Sequence, residues 1–200
     1  MPREAAPLFP FHPALRERLP RVALADLPTE VVRLRALEAE IEGASLWMKR
    51  DDLASPIYGG NKTRKLELIL GALESRGETR VMTFGFAGSN HAAATALFCK
   101  ERGISCVSML MHEPPSPFVR ANLLAAVGAG AKLFLYPDLA RLVIGAAAYR
   151  MLHPGPRGRL LPMIAAGGST VEGNAAYASA AFELRAQIDR GALEEPDEIY

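Results

Sequence analysis

Apolar positions along the chain switch repeatedly between helical and strand-like spacing from residue 61 onward. Residues 61–77 carry one apolar stripe at helical spacing, formed by Leu66, Ile69, Leu70 and Leu73. Strands are predicted over residues 80–86, 104–111, 131–137 and 159–168, and helices over residues 89–103, 116–128, 138–152 and 169–191. Continuous apolar strands that alternate with helices are typical of a parallel sheet covered on both faces. The pattern therefore predicts an α/β fold.

Both ends of the chain are less regular. Residues 29–43 have helical spacing, with Thr29 as a possible cap and Gly43 as a stop, and predict a helix. Residues 45–53 predict a short strand. The last residues, 194–200, look like the opening of another buried strand. Because an α/β sheet does not usually stop there, we expect the chain to be truncated or to belong to a longer product.

Composition and charge argue against several classes of function. The formal net charge is +1, so no electrostatic argument favours nucleic acid or an anionic membrane as partner. No run of about 18 apolar residues could cross a bilayer, and the proline-broken amino terminus lacks a signal-peptide core. Cys99 and Cys106 fall in apolar segments, which a reducing compartment explains most simply. We expect a cytoplasmic protein.

Lys62 lies in an unusual stretch, SPIYGGNKTRKLE, at residues 55–67. A phosphate-binding P-loop would need glycine directly before the lysine, but Asn61 occupies that position. A dinucleotide fold would need G-x-G-x-x-G, whereas the turn TFGFAGSNH at residues 83–91 offers only G-x-x-G. Both of these phosphate motifs therefore have little support.

A third interpretation makes Lys62 a lysine that bonds covalently to a carbonyl group. Such a lysine must be neutral when it attacks, and the first turn of a helix after a Gly-Gly bend gives it a rigid mount. The alternative is a solvent-facing lysine, although a cation there opposes the helix dipole. Arg64 and Lys65 add two cations to the same turn and favour a nearby anion such as phosphate. On the residues alone, both interpretations stay open.

Glycine-bearing turns follow several of the predicted strands. Ser89 is a good helix cap, and the same helix start can also bind an anion. The turn AAGGST at residues 165–170 is either an ordinary connection or part of a site. The carboxyl ends of parallel strands share one edge, where ligands of open α/β sheets bind.

The histidines at positions 12, 112 and 153 show no spacing typical of a metal site.

Three segments, in this order, resemble one family: WMKRDDLASPIYGGNKTRKLE at residues 47–67, FGFAGSNHAAATA at residues 84–96, and AAGGST at residues 165–170. The family is that of 1-aminocyclopropane-1-carboxylate deaminase and D-cysteine desulfhydrase. Its members are fold-type II enzymes that use pyridoxal 5'-phosphate, and they are relatives of tryptophan synthase β. The resemblance covers nearly the whole chain, and its most specific part is K-R-D-D-L followed by G-G-N-K-x-R-K-L-E.

The resemblance implies roles for individual residues. Lys62 would bind the cofactor covalently and act as the catalytic residue, and Asn90 would bond to the cofactor's 3-hydroxyl. The substrate carboxylate would be received by Ser89, Asn90 and His91. The cofactor would be bound by Lys62, Asn61, Lys65, Asn90, Gly167 and Gly168, with Lys65 near its phosphate and Ser169 in the bordering turn.

The resemblance also implies a domain organisation. Residues 1–65 and 163–200 would form a large, incomplete cofactor-binding domain, and residues 66–162 a small α/β domain. The family's glycine-rich phosphate cup and its partner to the pyridine nitrogen would lie beyond Tyr200. A homodimer is expected by analogy.

The implied function is that of a lyase or deaminase acting on a small amino acid. The deaminases usually have glutamine where this chain has His91, so D-cysteine desulfhydrase-like elimination to pyruvate, ammonia and hydrogen sulfide is favoured. Deamination of 1-aminocyclopropane-1-carboxylate, β-replacement and racemisation remain alternatives. A non-catalytic α/β fragment that binds a partner, or nothing, is an alternative of a different class.

Overall fold

A computed structural model describes residues 8–41 and 43–200 of the chain. In chain order the elements are α1 (Leu8–Phe11), α2 (Leu15–Arg18), β1 (Val31–Arg33), α3 (Arg35–Glu38), β2 (Trp47–Lys49), α4 (Asn61–Ser75), β3 (Arg80–Phe86), α5 (Asn90–Glu101), β4 (Ser105–Met111), α6 (Pro117–Gly128), β5 (Lys132–Tyr136), α7 (Leu139–Leu152), β6 (Met163–Ile164) and α8 (Val171–Asp189). Short 3-10 turns lie at Asp51–Leu53, Pro156–Gly158 and Ala166–Gly168.

A four-stranded parallel sheet forms the centre, in the order β5-β4-β3-β6. One face carries Val81 and Cys106, which pack against buried residues of α4, α5 and α6. The other face carries Met82 and Val107, which pack against α7 through Leu142. Helices therefore cover both faces, which confirms the predicted α/β class.

Helix α4 is buried on two sides, which fixes its position in the fold. Leu66 and Leu70 point into the cluster beneath the sheet, and both are fully buried. Leu68, on another side of the same helix, packs with Phe9 of α1 and Ala176 of α8. Because α4 packs on both sides, its first turn is held rigidly relative to the sheet.

The helix predicted over residues 29–43 is wrong. Residues Val31–Arg33 instead form β1, which pairs antiparallel with β2, and among the described residues of this segment only Arg35–Glu38 is helical. Two adjacent valines favour an extended backbone where a partner strand is available. Thr29 caps no helix, because strand β1 follows it and its Oγ1 bonds to Asp51 and Arg64 instead.

Two other segments are shorter or more irregular than their patterns predict. Residues 159–168 contain a strand of two residues, Met163–Ile164, followed by the 3-10 turn. Residues 194–200 form no strand, and Ile199 and Tyr200 are exposed. An apolar run becomes a strand only where a neighbouring strand pairs with it, and the described residues provide none beside 194–200.

Within residues 8–41 and 43–200, no helix is both long and apolar enough to span a membrane.

Strand β6 pairs with β3, so residues 163–164 join the same sheet as residues 80–86. The division into 1–65 with 163–200 and 66–162 stays a prediction, and its first seven residues lie outside the described part.

Candidate active site

The backbone before Lys62 requires glycine at both positions of the Gly-Gly bend. A Cβ added to Gly59 would lie 1.8 Å from the carbonyl oxygen of Asp52, and Gly60 has φ +96°. The amide of Gly60 donates to the carbonyl of Asp51 at 2.6 Å, and Thr63 Oγ1 donates to the carbonyl of Tyr58 at 2.5 Å. These contacts set the start of α4 and therefore the position of Lys62, its second residue.

Arg64 does not face the site. The expectation that all three cations of this turn lie near a bound anion is therefore wrong for Arg64. Its guanidinium donates to Asp51 at 2.7 Å and to Glu183 at 2.9 Å. It also donates to Thr29 Oγ1 at 3.0 Å, and Lys49 forms an ion pair with Glu183. Asp51 and Glu183 satisfy this arginine, so of the three cations in this turn Lys62 and Lys65 remain for a ligand.

Lys62, Lys65 and His91 form an electrostatically coupled group. Burial lowers the pKa of Lys62, and the nearby charge of Lys65 lowers it further. Burial lowers the pKa of His91 to about 4, with smaller contributions from Lys62 and Lys65. At neutral pH the imidazole is therefore uncharged, and the neutral form of Lys62 is more populated than in a solvated lysine.

His91 is a buried polar side chain without a protein partner. It is 2% exposed, and neither ring nitrogen forms a hydrogen bond within the described part of the chain. An unsatisfied polar group costs about 1–3 kcal/mol when buried. Such a group fits a site whose ligand supplies the missing partner.

The turn at Gly167 and Gly168 packs against this group. Both glycines have φ +66°, a conformation that other residues rarely adopt. A Cβ on Gly168 would lie 3.1 Å from His91 Cε1 and 3.3 Å from Lys65 Cδ. Lys65 Nζ donates to the carbonyl of Gly167 at 3.0 Å and lies 5.5 Å from the centre of the Tyr177 ring. The turn thus joins residues of α4, α5 and α8 in one place.

Ser89 and Asn90 begin α5 beside this group. Ser89 is the helix cap, because its Oγ accepts from the amide of Ala92 at 3.2 Å. Gly85 leaves room for it, since a Cβ there would lie 2.6 Å from Ser89 Cβ. Asn90 is exposed, and its Oδ1 accepts from Asn122 Nδ2 at 3.0 Å. The first amides of such a helix lack intrahelical acceptors and can bind an anion.

The structure brings most of the predicted site residues close together. Lys65 and His91 both approach Gly168 closely. Lys65 lies near enough to Lys62 to lower its pKa, and the charges of both lysines lower the pKa of His91. Ser89 and Asn90 directly precede His91 along the chain, whereas Asn61 lies on the exposed side of the first turn of α4 and Ser169 is exposed. The assignment of all these residues to ligand binding stays a prediction.

Sequence reasoning missed the contacts of three residues around the site. Glu113, considered from the sequence only as an imitation of a ribose-binding acid, accepts from the amide of Gly88 at 2.8 Å. Asn122 bonds to Asn90, and Tyr177 lies beside Lys65. Each is distant in sequence from the residue it contacts, so only the fold brings it into position.

These features fit the cofactor that the resemblance implies. A lysine with a lowered pKa is suited to attack a carbonyl group. The nitrogens of His91, which have no partner in the described part of the chain, can bond to a polar ligand, and the absence of a Cβ at Gly168 lets the turn pack closely against His91 and Lys65. The chemistry of the donor set is compatible with pyridoxal phosphate.

Comparisons with known proteins agree with this fit. Residues 22–200 match the family model described as "Pyridoxal-phosphate dependent enzyme". Nocardicin C-9' epimerase of Nocardia uniformis is 38% identical over 84% of this chain and 51% of its own length. D-cysteine desulfhydrase of Salmonella paratyphi A is 30% identical over 86% of this chain and 53% of its own length.

A solved structure shows the same similarity in three dimensions. The crystal structure of an ACC deaminase homologue superimposes with a TM-score of 0.76 at 32% identity, over 92% of this chain and 55% of that one. The chain spans about half the length of the curated relatives it matches. The family match, the site and the superposition agree that the chain belongs to the family of pyridoxal-phosphate dependent enzymes, with the fold-type II architecture.

Proposed function

We propose that the protein acts as a pyridoxal-phosphate dependent lyase of the D-cysteine desulfhydrase type. The overall reaction would convert D-cysteine and water into pyruvate, ammonia and hydrogen sulfide. The observation that carries the proposal is a half-buried Lys62 of lowered pKa near a buried, neutral and unpartnered His91. When bound, the cofactor supplies the electron sink that makes the α-proton of an amino acid removable.

Lys62 would hold and move the α-proton. A general base must be unprotonated when it acts, and burial together with Lys65 raises the neutral fraction of Lys62. Its place in the first turn of α4 restricts its reach to one side of the site. Racemisation then requires a proton to be delivered to the opposite face of the α-carbon, whereas elimination requires the bond to the β-sulfur to break so that sulfide leaves.

The start of α5 would bind the substrate carboxylate. The cap Ser89, the exposed Asn90 and the unpaired first amides offer donors to an anion. His91 is uncharged and can donate from one ring nitrogen, which would satisfy a group that the protein leaves without a partner. Binding an anion would also offset the repulsion between Lys62 and Lys65.

Other reactions on the same site remain open because the substrate is undetermined. The 38% identity to an epimerase favours racemisation or epimerisation as the second candidate. Deamination of 1-aminocyclopropane-1-carboxylate needs a different first step, because its quaternary carbon carries no α-hydrogen. β-Replacement would add a nucleophile to the β-carbon, whereas elimination ends with hydrolysis of an imine at the α-carbon. A cytoplasmic location and a homodimer remain part of the proposal.

The test uses the longest product of the gene. The protein is incubated with pyridoxal phosphate, reduced with borohydride, and digested so that mass spectrometry maps the labelled peptide. We expect label on Lys62 and its loss in Lys62→Arg, while Lys100→Arg, on the exposed end of α5, keeps it. Absence of label, or label spread over surface lysines, would contradict the proposal and favour a non-catalytic fragment.

Product analysis then distinguishes the candidate reactions. D-cysteine should release sulfide and pyruvate in equal amounts, whereas racemisation would yield L-cysteine with α-deuterium from heavy water. Deamination of the cyclopropane substrate would release ammonia and a 2-oxo acid without sulfide. Sulfide release that persists in Lys62→Arg would rule out Lys62 as the base.

A further inference from the structure

Helix α6 and the loop that follows β4 hold the turn before α5 at three points. Glu113 Oε2 accepts from the amide of Gly88 at 2.8 Å. Asn122 Nδ2 donates to the carbonyl of the same glycine at 2.8 Å and to Asn90 Oδ1 at 3.0 Å. Both backbone groups of Gly88 and the side chain of Asn90 are therefore fixed by Glu113 and Asn122.

The close packing of Gly88 makes this arrangement specific. A Cβ on Gly88 would lie 2.9 Å from Glu113 Oε2 and 2.9 Å from Val119 Cγ2. Glycine at this position therefore allows α6 to approach the turn. The approach brings Asn122 within hydrogen-bonding distance of Asn90.

The hydrogen bonds determine which atom of Asn90 is free. A backbone carbonyl can only accept, so Asn122 must present its nitrogen to Gly88. The second hydrogen of that nitrogen donates to Asn90, whose oxygen must therefore face Asn122. The Asn90 nitrogen, with two hydrogens to donate, is left to face the other way.

We propose that Asn122 is a positioning residue that makes Asn90 a hydrogen-bond donor toward the cofactor site. The proposal rests on the proposed function, because it is useful only if the ligand presents an oxygen to Asn90. Without Asn122, the Asn90 amide could rotate and present its oxygen, which repels an anionic ligand oxygen because that oxygen has no hydrogen to donate. Asn122 would thus act through Asn90 without touching the ligand.

The substitution Asn122→Asp reverses the bonding. A carboxylate cannot donate, so Asn90 would turn its nitrogen toward residue 122 and its oxygen toward the site. We expect the dissociation constant for pyridoxal phosphate to rise at least about tenfold, as for a lost hydrogen bond to a charged group. The visible absorption band of the loaded protein should shift, and so should the pH at which that band titrates.

Three further variants distinguish a positioning role of Asn122 from a general disturbance of the structure around it. Ala121→Asp adds the same charge at an exposed neighbouring position and should leave affinity and absorption unchanged. Asn122→Leu removes the polar contacts without imposing the opposite orientation, so it should weaken binding less than Asn122→Asp. In an Asn90→Ala background, Asn122→Asp should have little further effect.

A readout that needs no cofactor keeps this proposal distinct from the proposed function. In nitrogen-15 spectra of the unloaded protein, the side-chain amide signals of Asn90 should shift downfield in Asn122→Asp, because they then donate to a carboxylate. Unshifted Asn90 signals, or equal weakening in the Asn90→Ala background, would overturn the positioning role. Failure of the wild-type protein to label at Lys62 would instead overturn the proposed function.

Discussion

Arg64 of α4 and Glu183 of α8 form a buried ion pair with 2.9 Å between Nη1 and Oε2, and their side chains are only 3% and 2% exposed. Asp51 and Lys49 extend the pair into a network of alternating charge. The hydrogen bonds and charges of the partners lower the pKa of Glu183 against the opposing effect of burial. The network links the helix that carries Lys62 to the helix that follows the Gly167–Gly168 turn.

Removing the charge of Glu183 should strongly destabilise the fold. In Glu183→Gln, the buried cations Arg64 and Lys49 lose a shared carboxylate, and breaking a buried pair from one side costs about 3–5 kcal/mol. Because Asp51 still bonds to Arg64, we expect about 3 kcal/mol, at the lower end. Urea unfolding of the apo protein measures the change.

A second ion pair on α8 supplies the control for Glu183→Gln. Asp189 lies 2.7 Å from Arg185, but both side chains are more than half exposed. Asp189→Asn should change the free energy of unfolding by no more than about 0.5 kcal/mol. Equal losses in the two variants would show that burial does not govern the strength of the Arg64 network.

The sequence alone predicts those helices, strands and turns that depend on neighbouring residues. Residues 61–152 show clear alternation of apolar runs, and the observed bounds of α4, β3, α5 and β4 follow it closely. The Gly-Gly bend and the Ser89 cap are likewise written in adjacent residues. These features could be predicted because neighbouring residues largely determine them.

Features that depend on distant partners could not be predicted. The basic turn indicated a phosphate because Arg64 had no visible partner, yet Glu183 lies 119 positions away in the chain. Residues 29–43 fit a helical spacing, but pairing with β2 decides their conformation. Asn122 lies 32 positions from Asn90, and no spacing rule connects a residue on α6 with one on α5.

Gly168→Ala should destabilise the protein more than Gly167→Ala. Both positions have φ +66°, so both variants have a similar backbone strain of about 1–2 kcal/mol. At Gly168 the new Cβ also meets His91, Ile69 and Lys65 at 3.1–3.3 Å, whereas at Gly167 the nearest atom is 3.9 Å away. Urea unfolding should show a larger loss for Gly168→Ala, and labelling of Lys62 should fall only there. Equal losses would mean that backbone conformation alone requires both glycines.

The buried His91 should make the apo protein less stable in acid. Its pKa is about 4 when folded and 6.5 when unfolded. The unfolded chain therefore binds more protons between these values, and stability falls as pH drops through this window. The difference corresponds to about 3 kcal/mol at 1.36 kcal/mol per pKa unit.

The matched variants for this pH effect are His91→Gln and His112→Gln, the second at an exposed position. His91→Gln should lose less stability between pH 7 and pH 4 than the wild-type protein, whereas His112→Gln should follow the wild type. Unfolding free energies at several pH values measure both. Parallel curves for all three proteins would show that His91 titrates in the folded state as it does in the unfolded chain.

Lys65→Met should raise the pKa of Lys62, because the charge of Lys65 is one of the two causes that lower it. The probe is pyridoxal without its phosphate, so that a lost phosphate contact cannot explain the result. After borohydride reduction, the pH at which Lys62 is half-maximally labelled should be higher in Lys65→Met, and labelling at neutral pH should be slower, because less of Lys62 is neutral.

Lys100→Met, which removes an exposed lysine at the far end of α5, should match the wild type. An unchanged midpoint in Lys65→Met would mean that burial alone lowers the pKa of Lys62, and a lower midpoint would contradict the repulsion between the two ammonium groups.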